Sequence, residues 1–374
     1  MVLNNINLIN FRNYSKQSIK LCDNINILIG DNAQGKTNIL EAIYVLAFTK
    51  SHRAIIDNNL IMNQEDFCKI KGDILANNIK SSLEFFLSNN EKKVFIDGIN
   101  IKKFMDYVSK FKVVIFSPDN LEIIKSSPSV RRNFLNTEIS QIDKLYLYSL
   151  NDYNKYVKAR NEFLKNMYKN NNNNNLYLSI LNEKIIEKAV YIYKKRMEFI
   201  DDLNKIISKI YFDITGYQNL SIKYDNKLGV NMYNEDKIRS ILVKKFEGNY
   251  ERDILTCSTN FGPHKDDFSF YLSDADLKIF GSQGQHRSAV LSLKLSEIEI
   301  FKNKICDTPI LLLDDVFSEL DDTKKNNLIK YVNCGIQTII TTTDIKEISE
   351  ELLENSYIYE IKDGKAERKM VYGK

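Results

Sequence analysis

The sequence has no tryptophan, only four prolines and 13 glycines in 374 residues, and a net charge of only +4. Low proline and glycine with 43% hydrophobic residues excludes collagen-like and disordered chains. Lys and Arg number 53 and Asp and Glu 49, so composition alone does not indicate nucleic-acid binding. At about 150 residues per domain, the length predicts two lobes or one large domain with an insertion.

Membrane and disulfide features are also missing. No run of about 18 apolar residues occurs, and no basic region followed by an apolar stretch opens the chain. The five cysteines are odd in number and widely spaced, without a C-x-x-C pair: Cys22, Cys68, Cys257, Cys306 and Cys334. We therefore expect a cytoplasmic protein with reduced thiols and no membrane partner.

Strand patterns dominate the first 118 residues. Residues Ile25–Ile29 are apolar apart from Asn26, as in a strand covered on both faces, and they end at Gly30. The pair Asp97-Gly98 between apolar segments predicts a two-residue hairpin, and Val113–Phe116 a further strand. This part of the chain predicts a mixed sheet.

Helical periodicity begins near Asp143 and returns in a second run at 178–210, on either side of the tract Asn170–Asn175. Two helices joined there would form an antiparallel hairpin, the second about 50 Å long at 1.5 Å per residue. Strand patterns resume near Leu220–Tyr224 and Phe268–Leu272, then at Ile310–Leu313 and Thr338–Thr342. We expect an α/β head formed by residues 1–118 and 216–374, with a helical arm lobe, 119–215, inserted.

A nucleotide-binding motif follows the apolar strand. It fits G-x-x-x-x-G-K-[ST] and precedes a helix-forming run; its residues, with the next one, are Gly30, Asp31, Asn32, Ala33, Gln34, Gly35, Lys36, Thr37 and Asn38. Such a loop wraps phosphates with backbone N–H groups, Lys36 reaches the β and γ phosphates, and the Thr37 hydroxyl can ligate Mg²⁺. A glycine-containing turn with a capping threonine is the alternative.

A second strand, Ile310–Leu313, delivers two carboxylates at its end. This is the Walker B form, in which Asp314 would hold Mg²⁺ through water and Asp315 would polarise the attacking water. A strand followed by an Asp-rich turn remains possible.

A further loop, Gly281–Ser288, resembles the signature motif of ABC-type ATPases. Ser282, Gly284 and Gln285 would form a second anion cradle at a helix start. Because one chain already has one phosphate loop, this cradle predicts contact with a second molecule's nucleotide; a loop that only caps a helix is the alternative. Residues 318–321 are similar to the D-loop, and 341–344 end the next strand without the usual switch histidine, for which Thr343 or a neighbour would substitute.

Several blocks together resemble the RecF family of bacterial recombinational-repair ATPases, related to SMC heads. They cover nearly the whole chain: 10–14, 50–53, 116–121, 127–135, 262–267 and 314–321. Asn120 departs from the family's acidic residue, and the Asn tract is a second departure. The resemblance implies an ABC-type P-loop ATPase head with an inserted α-helical arm, and it places Arg12 in the nucleotide site.

The same resemblance implies a function. It predicts a weak, DNA-stimulated ATPase that dimerises on ATP with Mg²⁺, binds double- and single-stranded DNA at gaps or stalled forks, and releases it on slow hydrolysis. RecR and RecO are its expected partners in loading the RecA recombinase. An SMC-like ATPase of chromosome maintenance is a weaker alternative, because the insertion has no long coiled coil, and a nucleotide-dependent nuclease would need another carboxylate cluster.

Candidate DNA contacts are basic clusters, each of which could equally be a solvated face. The residues selected are Lys50, Arg53, Arg131 and Arg132, with Lys102, Lys103 and 194–196 as further clusters. No row of aromatic residues interleaves with them, so backbone recognition without base reading is expected. His264 could ligate a metal with Asp266 and Asp267, although a turn between strands is favoured.

Overall fold

The computed structural model describes residues 1–54, 56–170, 175–217, 219–229, 233–305, 307–320, 322–332, 335–348, 350–354 and 356–369. Cys306, Cys334, Asp321 and most of the Asn tract lie outside these ranges. The other three cysteines are free thiols.

Fifteen strands lie in the described residues. They are β1 (Val2–Phe11), β2 (Tyr14–Lys20), β3 (Ile25–Ile29), β4 (Phe67–Ala76), β5 (Ile79–Ser88), β6 (Lys92–Ile96), β7 (Ile99–Asn100), β8 (Val113–Phe116), β9 (Leu220–Asp225), β10 (Asp267–Leu272), β11 (Ala275–Asp276), β12 (Ile310–Asp314), β13 (Thr338–Thr342), β14 (Ser356–Lys362) and β15 (Lys365–Lys369).

Twelve α-helices lie in the same ranges. They are α1 (Lys36–Phe48), α2 (Phe104–Val108), α3 (Glu122–Lys125), α4 (Pro128–Ile142), α5 (Lys144–Asn170), α6 (Asn175–Thr215), α7 (Glu235–Gly248), α8 (Tyr250–Thr256), α9 (Leu277–Phe280), α10 (Gln283–Ile305), α11 (Asp322–Val332) and α12 (Glu350–Glu354). None of the helices in the described residues is long and apolar enough to cross a membrane.

The chain divides into two compact units. The head unit comprises residues 1–120, 213–216 and 294–374, and the arm unit residues 121–212 and 217–293. The expected boundaries differ at 217–293, which were assigned to the head. The physical reason is packing within the arm unit: Phe134 of α4 lies 5.9 Å, ring centre to ring centre, from Phe268 of β10 and 6.5 Å from Phe199 of α6.

Two six-stranded sheets build the head unit. One has the order β2-β1-β4-β5-β6-β7 and is antiparallel. The other has the order β15-β14-β3-β13-β12-β8, and all its pairs are parallel except β14 with β15. Helix α1 contacts strands of both sheets, so it is buried on several sides and lacks a polar stripe.

The strand predicted at 25–29 is confirmed as β3, whose first four residues are buried between β13 and β14. Its one polar residue, Asn26, is also fully buried. The Asn26 side chain pairs with the backbone of Cys22, accepting from the N–H at 2.9 Å and donating to the carbonyl at 2.9 Å. The amide therefore carries no unpaired group into the core.

The arm unit contains the predicted helix hairpin and a three-stranded sheet of order β11-β10-β9. Helices α5 and α6 run antiparallel, because Arg160 pairs with Asn182 whereas the earlier Tyr146 pairs with the later Arg196. The second helix has 41 residues instead of the 33 predicted, which makes it about 60 Å long.

Candidate functional site

The phosphate-type loop joins β3 to α1, and its two glycines are fixed by close neighbours. Gly35 adopts φ +115° before the first residue of α1, and a Cβ there would come within 2.6 Å of the Asn13 side chain. A Cβ on Gly30 would collide with the carbonyl of Ile361 in β14. Both positions therefore require glycine for this backbone path.

The Lys36 side chain lies within this loop and is only 7% exposed. Its ammonium donates to the carbonyl oxygens of Gly30 at 2.5 Å and Asp31 at 3.1 Å. Burial lowers the pKa of Lys36, and the nearby carboxylates of Asp315, Asp314 and Asp31 oppose that shift. A cation is thus held at the start of α1, where an anion would also meet the helix N-terminus.

The carboxylate of Asp314 meets the Thr37 hydroxyl. Thr37 Oγ1 donates to Asp314 Oδ1 at 2.9 Å, and Thr341 Oγ1 at the end of β13 donates to the same oxygen at 2.8 Å. Burial raises the pKa of Asp314, although both hydroxyl bonds act against this shift. Two neighbouring parallel strands therefore carry the residues to one edge of the sheet.

Asp315 follows with a left-handed backbone, φ +52°. Its N–H donates to Thr341 Oγ1 at 2.9 Å, and its buried Oδ1 has no hydrogen-bond partner among the described residues. A buried carboxylate oxygen without a partner is rare and suits a group that meets a ligand or a water. The threonine that contacts the paired carboxylates is Thr341; Thr343, considered from the sequence, is exposed.

These residues surround a cleft of about 200 Å³. It is lined by Asp31, Asn32, Ala33, Gly35, Lys36, Thr37, Asn38, Arg53, Asp314, Asp315 and Thr341. Nine of them were predicted from the sequence for the nucleotide and metal site, and a tenth, Arg53, was predicted as a DNA contact. Gly30 and Gln34 do not line it; the Gln34 side chain accepts instead from the Asp363 N–H at 2.7 Å.

A larger cavity of about 790 Å³ shares Asn38 and Arg53 with the cleft. Arg12 lines it, and its guanidinium forms a bidentate ion pair with the fully buried Glu41 of α1, at 2.7 and 2.8 Å. Burial opposes ionisation of Glu41, but hydrogen bonds from Arg12 and Ser51 bring its pKa below the usual value. The ion pair with Glu41 therefore fixes the position of the Arg12 guanidinium at the wall of the cavity.

The site suits ATP with Mg²⁺ on the chemistry of its donors. Mg²⁺ in nucleotide sites is held by one or two protein oxygens together with substrate phosphates and water, and Thr37 and Asp314 provide such a pair. In the described residues no group of three or more His, Cys, Asp or Glu could hold a metal by itself. His264 is no exception, because both its ring nitrogens are bonded, to Tyr153 Oη and to the Thr259 carbonyl.

The signature-like loop lies in the arm unit at the start of α10. Ser282 Oγ accepts from the Gln285 N–H at 3.2 Å, and Gln285 Oε1 accepts from the Ser282 N–H at 2.8 Å, which is a capping box. Gly281 is required sterically, whereas a Cβ on Gly284 would meet open space. Internal packing therefore explains Gly281 and the cap but does not explain Gly284. In the 318–321 segment, Ser318 Oγ donates to the Asp315 carbonyl at 2.8 Å.

The candidate DNA-contact residues have different surroundings. Lys50 and Arg53 are exposed, and Arg53 lines both cavities of the head unit. Arg131 is a correction: it is 4% exposed and forms a bidentate pair with Asp267 at 2.6 and 2.9 Å, so its guanidinium is committed inside the arm unit.

Two further arginines from the predicted basic clusters also bond to residues inside the arm unit. Arg132 donates to the Asp266 carbonyl at 2.7 Å, and burial lowers its pKa. Arg196, in a basic run noted in the sequence, is 1% exposed and pairs with Asp266 at 3.0 Å. These arginines bond to residues within the arm unit, and the runs of basic residues in the sequence gave no sign of those contacts.

Sequence reasoning missed Thr341 and Asn13 as site residues. Asn13 reaches the loop from the β1–β2 turn, with Nδ2 3.0 Å from the Gln34 carbonyl. The signal for Asn13 was its place in the 10–14 block, and the signal for Thr341 was its position at a strand end beside the Walker B strand.

Comparisons with known proteins support this description. The sequence profile of the RecF/RecN/SMC N-terminal domain family matches residues 2–367. A protein of Halalkalibacterium halodurans named DNA replication and repair protein RecF is 39% identical over 99% of this chain and 100% of its own length. A protein of the same name from Geobacillus sp. (strain WCH70) is 40% identical over 97% of this chain and 98% of its own.

Solved structures agree. The recombination mediator protein RecF–ATP in the RecFOR pathway is 35% identical, with a TM-score of 0.92 over 98% of this chain and 97% of that one. The head of an SMC protein bound to the C-winged helix domain of ScpA gives a TM-score of 0.56 at 13% identity, over 99% of this chain and 98% of that one. The second likeness concerns the fold alone. Together with the family profile and the RecF structure, it agrees with the expected fold class, an ABC-type P-loop head with a helical arm.

Proposed function

This chain belongs to the RecF family, and from that premise we propose that it is an ATP-dependent DNA-binding protein of recombinational repair. It binds ATP with Mg²⁺, dimerises on ATP at DNA gaps or stalled forks, and releases DNA on slow hydrolysis. RecR and RecO are its partners in loading the RecA recombinase, and the cytoplasm is its location.

One observation carries the nucleotide part of the proposal: Thr37 Oγ1 lies 2.9 Å from Asp314 Oδ1 in a cleft that also contains Lys36 and Asp315. These groups come from residues 36–37 and 314–315, so only the tertiary structure brings them together. Mg²⁺, when bound there, neutralises charge that develops on the transferring phosphate.

The residues then have separate roles. Lys36 binds phosphate, and Thr37 and Asp314 orient the metal side of the cleft. Asp315 Oδ1, which has no hydrogen-bond partner among the described residues, faces the attacking water and accepts its proton. The 790 Å³ cavity beside Asn38 and Arg53 accepts the nucleoside end of the ligand. Ser282, Gly284 and Gln285 contact the nucleotide of a second copy.

The runner-up functions are less well supported. An SMC-like role in chromosome maintenance needs a long coiled coil, whereas α5 and α6 have 27 and 41 residues. A nuclease would need a further carboxylate cluster, and none of three or more groups occurs within the described part of the chain.

Sedimentation velocity tests the proposal, with and without Mg²⁺-ATP and with and without a gapped duplex. We expect a 43.6 kDa monomer without nucleotide, a dimer with ATP, and co-sedimentation with DNA that requires ATP. Lys36→Ala provides the control, because it should remain monomeric in all four conditions. A wild-type chain that neither dimerises on ATP nor binds the duplex would contradict the proposed function.

A further inference from the structure

The β1–β2 turn is held in a backbone conformation that its residues do not favour. Phe11 pairs with Tyr14, so Arg12 and Asn13 form a two-residue turn, and Arg12 has φ +54°. Glycine or asparagine normally occupies such a position, and a residue held there costs on the order of 1–3 kcal/mol. A strained turn is retained where its side chains have a task.

Three successive side chains, the two of this turn and that of Tyr14 at the start of β2, contact the phosphate-type loop and α1. Arg12 pairs with Glu41, as described above. The Asn13 amide makes two bonds: Nδ2 donates to the Gln34 carbonyl at 3.0 Å, and Oδ1 accepts from Asn38 Nδ2 at 2.9 Å. The hydroxyl of Tyr14, which is fully buried, donates to the Gly35 carbonyl at 3.0 Å.

The turn between β14 and β15 meets the same loop. The Gly364 N–H donates to the Gln34 carbonyl at 3.3 Å, and a Cβ on Gly364 would collide with the Asn13 carbonyl. Gly364 has φ +70°, so glycine is required there for two reasons. The Gln34 carbonyl thus accepts from two turns that are about 350 residues apart in the chain.

These contacts fix the direction of two peptide groups. In a planar trans peptide the C=O and the following N–H point in opposite directions. When Asn13 and Tyr14 hold the carbonyls of Gln34 and Gly35, the N–H groups of Gly35 and Lys36 are turned away from the turn, toward the side where an anion would bind.

We infer that Asn13 is a positioning residue of the phosphate-binding loop, which it preorganises through the Gln34 carbonyl and the Asn38 side chain. The inference rests on the proposed nucleotide binding. By holding the Gln34 carbonyl, Asn13 orients an N–H donor that contacts the phosphates equally in the ATP-bound ground state and in the transition state. Its contribution is therefore to nucleotide affinity and not to the rate of the chemical step.

The test is Asn13→Ala, measured by titration with a fluorescent ATP analogue and by steady-state ATPase kinetics. We expect Kd and KM to rise about tenfold while kcat at saturating ATP stays within twofold. Asn13→Asp should bind more weakly than Asn13→Ala, because it keeps the shape and the acceptor for Asn38 but turns a carboxylate toward the Gln34 carbonyl and the phosphates. If Asn13 served folding alone, the folded fraction of either variant would bind ATP with the wild-type Kd.

Asn7→Ala is the matched control: Asn7 lies on β1, and its side chain bonds only to Asn5 among the hydrogen bonds described. It should bind ATP like the wild type. Wild-type affinity in Asn13→Ala, or a lower kcat with unchanged KM, would overturn the inference. If Asn13→Ala does not fold, Asn13→Ser is measured by the same criteria, and a wild-type chain that binds no ATP would refute the proposed function itself.

Discussion

Lys36 and Asp315 line the same cleft with opposite charges, and they have different tasks. The Lys36 ammonium is bonded to backbone carbonyls of its own loop, so it lies where a phosphate would compete for it. The Asp315 oxygen has no such bond within the described residues, and it is free to meet a water. Binding and turnover should therefore separate at single residues.

We expect Asp315→Asn to keep ATP affinity within about threefold and to lower kcat by about 100-fold or more, because only a proton acceptor is lost. Lys36→Ala is the contrasting variant, with a Kd raised roughly 100-fold and an intact fold, since no core packing is removed. Equilibrium binding and single-turnover hydrolysis measure the two effects. Wild-type hydrolysis by Asp315→Asn would show that Asp315 has been given the wrong role.

Elements with strong local patterns were predictable from the sequence. The strand β3 and helix α1 around the loop, and the Asp97-Gly98 turn between paired Ile96 and Ile99, are all confirmed. The turn was readable because glycine beside an aspartate accepts positive φ.

What failed depended on distant partners. The patterns at 220–224 and 268–272 identify strands, yet alternation of apolar residues does not say which sheet they join, and both belong to the arm unit. Arg131 and Arg196 read as surface charge because their partners, Asp267 and Asp266, lie 136 and 70 residues away. The contact of Gly364 with Gln34 spans 330 positions and has no local pattern at all.

Two loop histidines give each unit a pH dependence. Burial lowers the pKa of His52 and of His264 from 6.5 to about 4. The charges that act on His264 are Lys265, Arg132 and Arg196, which also lower its pKa, while a bond to the Thr259 carbonyl raises it. Between pH 4 and 6.5 the unfolded chain therefore binds protons that the folded chain does not, and stability rises with pH.

Asp266 has the opposite effect on the pH dependence of stability. Burial raises its pKa from 3.8 to about 6 despite the Arg196 pair, so the folded carboxyl stays protonated at a pH where the unfolded one has ionised. Burial also raises the pKa of Asp314 and Asp201, but Asp266 is the carboxyl with the large upward shift, and two histidines have large downward shifts. We therefore expect the thermal midpoint of the wild type to rise from pH 5 to 6.5. In the double variant His52→Gln with His264→Gln it should be flat or should fall. An unchanged slope in the double variant would contradict the assignment.

At the scale of the whole molecule, the proposed composite site makes nucleotide hydrolysis a property of two chains. Lys36→Ala damages the loop that binds phosphate, and Ser282→Arg damages the segment that would contact a partner's nucleotide. Ser282→Arg alone should bind ATP as the wild type does, because Ser282 is exposed and bonds only within its own cap. It should fail to dimerise and to hydrolyse.

Mixing the two inactive proteins should produce heterodimers with one doubly damaged site and one intact site. ATPase activity that returns on mixing indicates that one site suffices, and an ATP-dependent heterodimer without turnover indicates that both are needed. Sedimentation and phosphate release measure the two outcomes. Loss of ATP affinity in monomeric Ser282→Arg, equal to that of Lys36→Ala, would place the signature residues in the monomer's own site.

The neighbours of β3 have a consequence for biosynthesis. The loop after β3 leaves the ribosome long before β13 and β14, which flank β3, and before Gly364, which meets Gln34. At about 5–20 residues per second the nascent strand waits for tens of seconds with both edges unpaired, while the whole arm unit emerges and can fold. Unpaired edges favour aggregation, so this interval is the one in which a chaperone would act. A product of premature termination before residue 356 would lack β14, one of the two strands beside β3, and we expect it not to bind nucleotide.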